Sequence, residues 1–449
     1  MNRPFSLEPQ WQPSDHGTEE VRQTTALLRI TVNGRLATRA DNDWTRSVGE
    51  AVPLSCYPLA IWLASSWWRL IWEPTPGETR DEPSVEWRMA HEMAGAGGGF
   101  LWPPLCFDTD GEVVTVRCQP SAEDASEPVR YLGHFRELVP VADFARGIEA
   151  FVQLVLARLD SVGIRESELH LLWRELSVER GEAEAAAFRR LEALLGFEPD
   201  EAPDGVADFF QRLSLEVGEE AVAEVAAAFA RPGSGLLRDR VLFLERPLPA
   251  GLQGSLASVL GLREDARWIC RSVATPWDRG RDLARGVRKF LGFGSGPLPD
   301  DRLGEILGLT TEHLARGAAS LGKVGLSLAV KSGDLGEVRF LFRRSSRTGR
   351  RFEAARWLGD VLMAPPGDRW LPATDTKTAR QKGQRAFAAE LLAPIEPLAS
   401  FLGKELNDPE RIEEAGDYFG VSTWAINSQL DNQGLRPSLS ASAGSYSGY

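Results

Sequence analysis

The sequence predicts an α+β multidomain protein, and three observations carry that prediction. Two hairpin signals, Asn33-Gly34 and Asp110-Gly111, lie in a stretch crowded with tryptophan. From Val139 to about Ala230 the apolar residues recur with helical spacing. After Pro247 helical and strand patterns alternate again, closing on two short helices with helix-turn-helix spacing. The expected organisation is a flexible N-terminus (1–24), a Trp-rich mixed α/β domain (25–135), a helical domain (136–246), a third domain (247–436) and a Ser/Gly/Tyr-rich disordered tail (437–449).

Bulk composition supports a globular chain. Its 449 residues suffice for several well-filled cores, and 43% apolar with 26% charged residues is ordinary for such a protein. The formal net charge of -13 argues against a general nucleic-acid coat or a binder of anionic membranes. Cys56, Cys106, Cys118 and Cys270 are widely spaced with no C-x-x-C pair, so they are expected to be buried free thiols. The polar N-terminus has no signal-peptide core, and "YPLAIWLASSWWRLIW" (57–72) is too short to span a membrane and contains Arg69. A cytoplasmic protein without membrane contact is the expectation, and no cofactor is expected.

The elements follow in order. "LLRITVNGRLATR" alternates apolar and polar residues around Asn33-Gly34, and "FDTDGEVVTVRC" repeats the pattern around Asp110-Gly111. Eight of the 14 tryptophans precede residue 103; they form either a small packed core or an aromatic recognition surface. "QPSAEDASEP" (119–128) reads as a linker or long loop. "FARGIEAFVQLVLARL" places Ile148, Phe151, Val152, Val155 and Leu159 on one helical face. Beyond Pro247, "PWDRGRDLARGVRKFLGF" and "GPLPDDRLGEILGL" are helices and "VGLSLAVKSGDLGEVRFLF" is two strands about a Gly-Asp turn. "RRFEAARWLGDVLM", "RAFAAELLAPIEPLASFL" and "ERIEEAGDYFGVSTWAINSQLDNQGL" are helical again.

Four of these pieces, "LARGVRKFLGF", "GPLPDDRLGEILGL", "RRFEAARWLGDVLM" and "QRAFAAELLAP", stand in an order that resembles the ImmA/IrrE family of metallopeptidases. "DYFGVSTWAINSQLDNQGL" is similar to the family's helix-turn-helix-like end. The resemblance covers about Pro276 to Leu435 and implies a zincin-like third domain. It also implies a zinc metallo-endopeptidase that cleaves helix-turn-helix repressors in phage, mobile-element or stress-response circuits. The family's H-E-x-x-H helix corresponds to "RRFEAARWLGDVLM", and there the chemistry departs. Two histidines one turn apart hold zinc and the glutamate polarises its water. Arg356, Trp357 and Asp360 occupy those positions. Gly383 stands where the third-ligand glutamate would be, and Arg385 where the neighbouring asparagine would be. Arginine has no lone pair for a metal and tryptophan cannot act as a base. No catalytic residue and no metal ligand is therefore assigned. Arg356 and Asp360, four apart, either form an ion pair in the metal's place or both face solvent.

Other signals leave alternatives open. His91-Glu92 echoes A-H-E-L-G, but the second histidine position is Gly95. His91 is read as a helix-end residue, the alternative being a remote metal site of His91, Glu92 and His134. "VRFLFRRSSRTGRRFEAARW" holds seven arginines against Glu353, and "KTARQKGQR" adds Lys377, Arg380, Lys382 and Arg385. This is either a basic patch, with Arg343, Arg344, Arg347, Arg350, Arg351 and Arg385 binding an acidic protein or nucleic acid, or a solvated loop balanced by acidic neighbours. The terminal helices, with seven acids and two arginines between Glu405 and Arg436, are poorly charged for DNA and are expected to pack on the core. The favoured expectation is a non-catalytic ImmA/IrrE-like regulatory or scaffolding protein that binds a protein partner, in phage defence, toxin–antitoxin or stress regulation. The alternatives are an active zinc peptidase with a relocated site and a DNA-binding regulator.

Overall fold

The computed structural model describes residues 3–43, 46–76, 83–122, 127–230, 233–246, 248–259, 261, 275–316, 325–332 and 336–436. The chain forms two compact units. One comprises Met1–Gln211, Phe229–Arg238 and Thr376–Thr378; the other comprises Arg212–Ala228, Asp239–Asp375 and Ala379–Tyr449. Among the described residues, no helix is long and apolar enough to cross a membrane. Cys270, the Gly333-Asp334 turn, part of the 119–128 linker and the 437–449 tail lie outside the described residues.

In the first unit, β1 (Phe5–Trp11) pairs antiparallel with β2 (Thr25–Val32), with helix α1 (Glu19–Gln23) between them. Residues 1–24, expected to be flexible, thus contain a strand. Phe5 and Leu7 alternate inward and are buried, and Pro9 is tolerated because β1 is an edge strand that needs no donor on its outer side. Asn33 and Gly34 turn the chain with φ of 47° and 80°, both in the left-handed region a two-residue hairpin of this kind requires. The chain continues through β3 (Arg35–Leu36), β4 (Ala40–Asn42), β5 (Ser47–Gly49) and β6 (Val52–Ser55), which pairs with β2. Helices α2 (Cys56–Ser65), α3 (Trp67–Trp72) and α4 (Val85–His91) follow, then the expected hairpin of β7 (Leu105–Thr109) and β8 (Val113–Cys118). Strand β9 (Val129–Tyr131) pairs with β4, and β10 (Phe135–Pro140) with β8.

The helices that follow are α5 (Val141–Ser161), α6 (Glu168–Gly181), α7 (Ala183–Leu194), α8 (Val206–Val217), α9 (Glu219–Phe229) and α10 (Gly233–Leu244). The predicted face of α5 is fully buried. It does not close a separate helical domain. Phe144 packs against Phe5 and Phe107 at 4.8 and 5.2 Å between ring centroids, and Trp67 meets Trp173 at 5.9 Å, so α5 and α6 complete the core of the Trp-rich block. The boundary at 135/136 therefore falls inside one core. Gly147 permits this contact, since a Cβ there would lie 2.6 Å from the Phe5 carbonyl oxygen. Trp62, Trp67, Trp68, Trp87 and Trp102 are all buried, which selects core over recognition surface.

The second unit is built on a four-stranded antiparallel sheet. Its order is β11 (Leu252–Ser255), β13 (Glu337–Leu341), β12 (Leu326–Ser332), β14 (Trp370–Thr374). Its helices are α11 (Pro276–Phe290), α12 (Asp300–Leu307), α13 (Thr311–Ala315), α14 (Arg347–Met363), α15 (Ala379–Leu392), α16 (Ile395–Leu402), α17 (Pro409–Phe419) and α18 (Thr423–Asn432). Thr275 caps α11, with Pro276 at its first turn. Gly280 brings α11 into backbone contact with α15, because a Cβ would sit 2.3 Å from the Gly383 carbonyl oxygen. The terminal pair turns at Gly420, φ 66°, and Ser422 caps α18 by accepting from the Ala425 amide at 3.2 Å, as its spacing predicts.

Candidate functional site

Helix α14 carries Arg356, Trp357 and Asp360, which the resemblance would set at zinc-ligand positions. Ser346 caps it, and from Arg350 to Val361 every residue except Phe352 is buried. Trp357 is 0% exposed and packs between Phe340 and Phe342, at 5.1 and 4.9 Å. Its ring fills a hydrophobic layer over β13, where it contributes about 1.5–3 kcal/mol of burial energy.

Arg356 and Asp360 form no pair with each other and neither faces solvent, so both expectations for them are corrected. Each finds a partner from another element. Both Asp360 carboxylate oxygens accept from Arg380, at 2.8 Å from Nε and 2.8 Å from Nη2, and Arg380 Nη1 continues to Asp368 at 2.6 Å. Burial alone would pull the Arg380 guanidinium down, but Asp360, Glu224 and Asp368 hold it above its ordinary value. Burial pushes the Asp368 carboxyl up against the opposing pull of Arg380. Arg356 donates through Nη2 to the Thr374 carbonyl at 2.7 Å and to Gln381 Oε1. Burial, and secondarily the charge of Arg385, push this guanidinium down to about 9. Its acceptors in these two bonds are neutral, and among the described residues its buried Nε has no partner.

Gln381 organises the strand edge beside them. Its Oε1 accepts the Thr374 amide at 2.8 Å and its Nε2 donates to the Pro372 carbonyl at 3.0 Å. Gln384 Nε2 reaches the same carbonyl at 3.0 Å. The Gln381 carboxamide thereby stands in for one peptide group of an absent fifth strand. Gly383 is a packing site, 3.3 Å from its would-be Cβ to the Pro276 carbonyl oxygen.

The arginines assigned to a basic patch are dispersed and largely internal. Arg343 makes a bidentate pair with Asp375 at 2.6 and 2.8 Å. Arg350 is 0% exposed, donates to the carbonyls of Arg344 and His313, and lies 4.9 Å over the Phe342 ring. Arg351 is 1% exposed and reaches the carbonyls of Gly420 and Leu298 at 2.9 and 2.6 Å, together with Asp300; burial pushes its guanidinium down to about 10. Arg347 shares Asp300 at 2.7 Å, Arg344 stands 3.7 Å from Asp375, and Arg385 donates to the Thr374 carbonyl at 3.4 Å. Only Arg344 and Arg347 among the paired ones have half-exposed side chains. Arg350 and Arg351 are corrected from surface binders to structural ties. The sequence shows clustered charge, but not that Asp300 and Asp375 would meet it.

His91 ends α4 as expected, yet it is fully buried and not at a surface turn. Its ring stacks on Trp87 at 4.2 Å, with Nδ1 2.9 Å from the Phe107 carbonyl and Nε2 2.9 Å from Glu73. Arg69 pairs with Glu73 at 2.6 Å and with Glu198 at 2.7 Å. Burial would raise the Glu73 carboxyl, but the hydrogen bond and charge of His91, with Arg69, hold it below the ordinary value. Glu92 pairs with Arg88 and His134 is exposed, so His91, Glu92 and His134 are not assembled as a ligand set. Among the described residues, no group of three or more His, Cys, Asp or Glu is placed to hold a metal ion. Of the residues that organise the site, Gln381 escaped sequence reasoning, and Arg380 was read only as part of a basic run and not as the partner of Asp360. The available signal was that a buried Asp360 demands a cation, and "KTARQKGQR" supplies the nearest ones. No family model, no curated protein and no solved structure matches the chain.

Proposed function

We propose that the chain is a non-catalytic ImmA/IrrE-like protein, a pseudo-metallopeptidase with a zincin-like second unit that regulates or scaffolds by binding a protein partner. Phage defence, toxin–antitoxin or stress regulation is the setting this reading implies. The observation that carries it is the fate of the four lost positions. Arg356, Trp357, Asp360 and Gly383 are each committed to packing or to internal pairing, and Asp360 has both oxygens occupied by Arg380. A second feature points the same way. A peptide extends a sheet by bonding to a free edge, and Gln381 already occupies the Pro372–Thr374 edge of β14.

The test is metal content and peptidase activity of the purified full chain. The expected outcome is zinc well below one per chain and no chelator-sensitive cleavage of helix-turn-helix proteins. One tightly held zinc per chain, with cleavage abolished by chelator and by Asp360→Ala, overturns the proposal. If His91→Ala abolishes metal and cleavage together, the relocated-site alternative is correct instead.

A further inference from the structure

The first unit holds a polar cavity that the proposed function leaves unused. On the β10–β8–β7 sheet, Arg136, Arg117 and Cys106 are register partners in one row, so their side chains share a face. At one end of the row the last turn of α4 brings in Arg88, and Glu92 forms a backbone bridge to Cys106. Arg88, Glu92, Cys106, Arg117 and Gln119 line an open cavity of about 290 Å³.

Its chemistry favours an anion. The lining holds two guanidiniums against one carboxylate, a surplus of one positive charge in a chain whose formal net charge is -13. Arg88 Nε binds Glu92 Oε1 at 3.0 Å, which leaves Arg117 without a carboxylate of its own in the cavity. Among the described residues Arg117 Nη2 donates only to the weak acceptor Cys106 Sγ, at 3.2 Å, and its buried Nε has no partner. A buried guanidinium N–H without an acceptor carries an unrelieved desolvation cost, and an oxyanion relieves it with a charge-assisted bond. Burial, opposed by Arg117, leaves the Cys106 thiol above its ordinary value, so it enters the cavity neutral. The volume lies at the lower end of ligand pockets, about 300–1,000 Å³, and suits a metabolite smaller than a nucleotide.

We propose that this cavity binds a small metabolite through an oxyanion, a carboxylate or a phosphate, held by Arg117, with Arg88 and Gln119 completing the cradle. The experiment titrates the full chain with inorganic phosphate and, separately, with malonate. Calorimetry reads the affinity, and the rate of iodoacetamide alkylation at Cys106, from peptide mass spectrometry, reads the location. One of the two anions is expected to bind and to slow Cys106 alkylation, and the tighter one identifies the anionic group. Arg117→Gln weakens that binding by about 10- to 100-fold. Glu92→Gln tightens it, because it removes the one carboxylate of the cavity lining. Absence of binding by both anions, or binding that leaves Cys106 alkylation unchanged, overturns the proposal. So does an affinity insensitive to Arg117→Gln in a folded variant. If that variant fails to fold, Glu92→Gln decides: tighter binding supports the site, and equal or weaker binding overturns it.

Discussion

At Asp360 the side chain that resembles a surviving ligand is the anion of a buried ion triad. A carboxylate with no exposure and two bonds to Arg380 cannot be removed cheaply, because among the described residues Arg380 would retain only Asp368 at hydrogen-bond distance. Asp360→Asn is expected to cost about 3–5 kcal/mol, read as a lowered denaturation midpoint with unchanged slope. Glu73 gives a pH test in the other unit. Its folded carboxyl sits below its unfolded value of 4.5, so it contributes stability above that pH and loses it as pH falls through the folded value. The melting temperature should therefore drop on acidification below about 4.5. Glu73→Gln should flatten that dependence while lowering stability at neutral pH, where Arg69 and His91 lose their shared partner.

Individual elements were legible where a local signal fixed them. Asn33-Gly34 and Asp110-Gly111 specify turns by backbone chemistry alone, and the face of α5 follows from spacing alone. Strands β1 and β14 were missed because each carries a proline, Pro9 or Pro372, which reads as a breaker until the strand is known to lie at an edge. The small residues of Ala355-x-x-x-Gly359 lie at a close helix crossing. A Cβ at Gly359 would lie 2.6 Å from the Phe387 ring, so α14 and α15 approach only because it is absent. Gly359→Ala should destabilise by about 1–3 kcal/mol through overpacking, measured by chemical denaturation. A change below a few tenths would show that the ring can move aside.

Across the whole molecule, domain boundaries were the least legible feature. Periodicity records that Ile148 and Phe151 are buried, but Phe5, far away in the chain, is among the residues that bury them. The arginine cluster failed for a related reason: sequence shows a run of like charge, whereas Asp300 and Asp375 arrive through tertiary structure. Two units of comparable size with separate cores are expected to unfold independently. Scanning calorimetry should give a calorimetric enthalpy larger than the van't Hoff value, and a ratio of one would show a single cooperative unit.

The Gln381 carboxamide also has a consequence for self-association. A bare strand edge is a template on which copies of a chain stack into aggregates, and the buried Thr374 amide of β14 would become an unpaired group of that kind whenever the segment opens. Gln381 satisfies that amide from within the same molecule. Gln381→Ala should leave the secondary structure intact yet raise light scattering on storage. The glutamine then acts as a gatekeeper against edge-to-edge pairing.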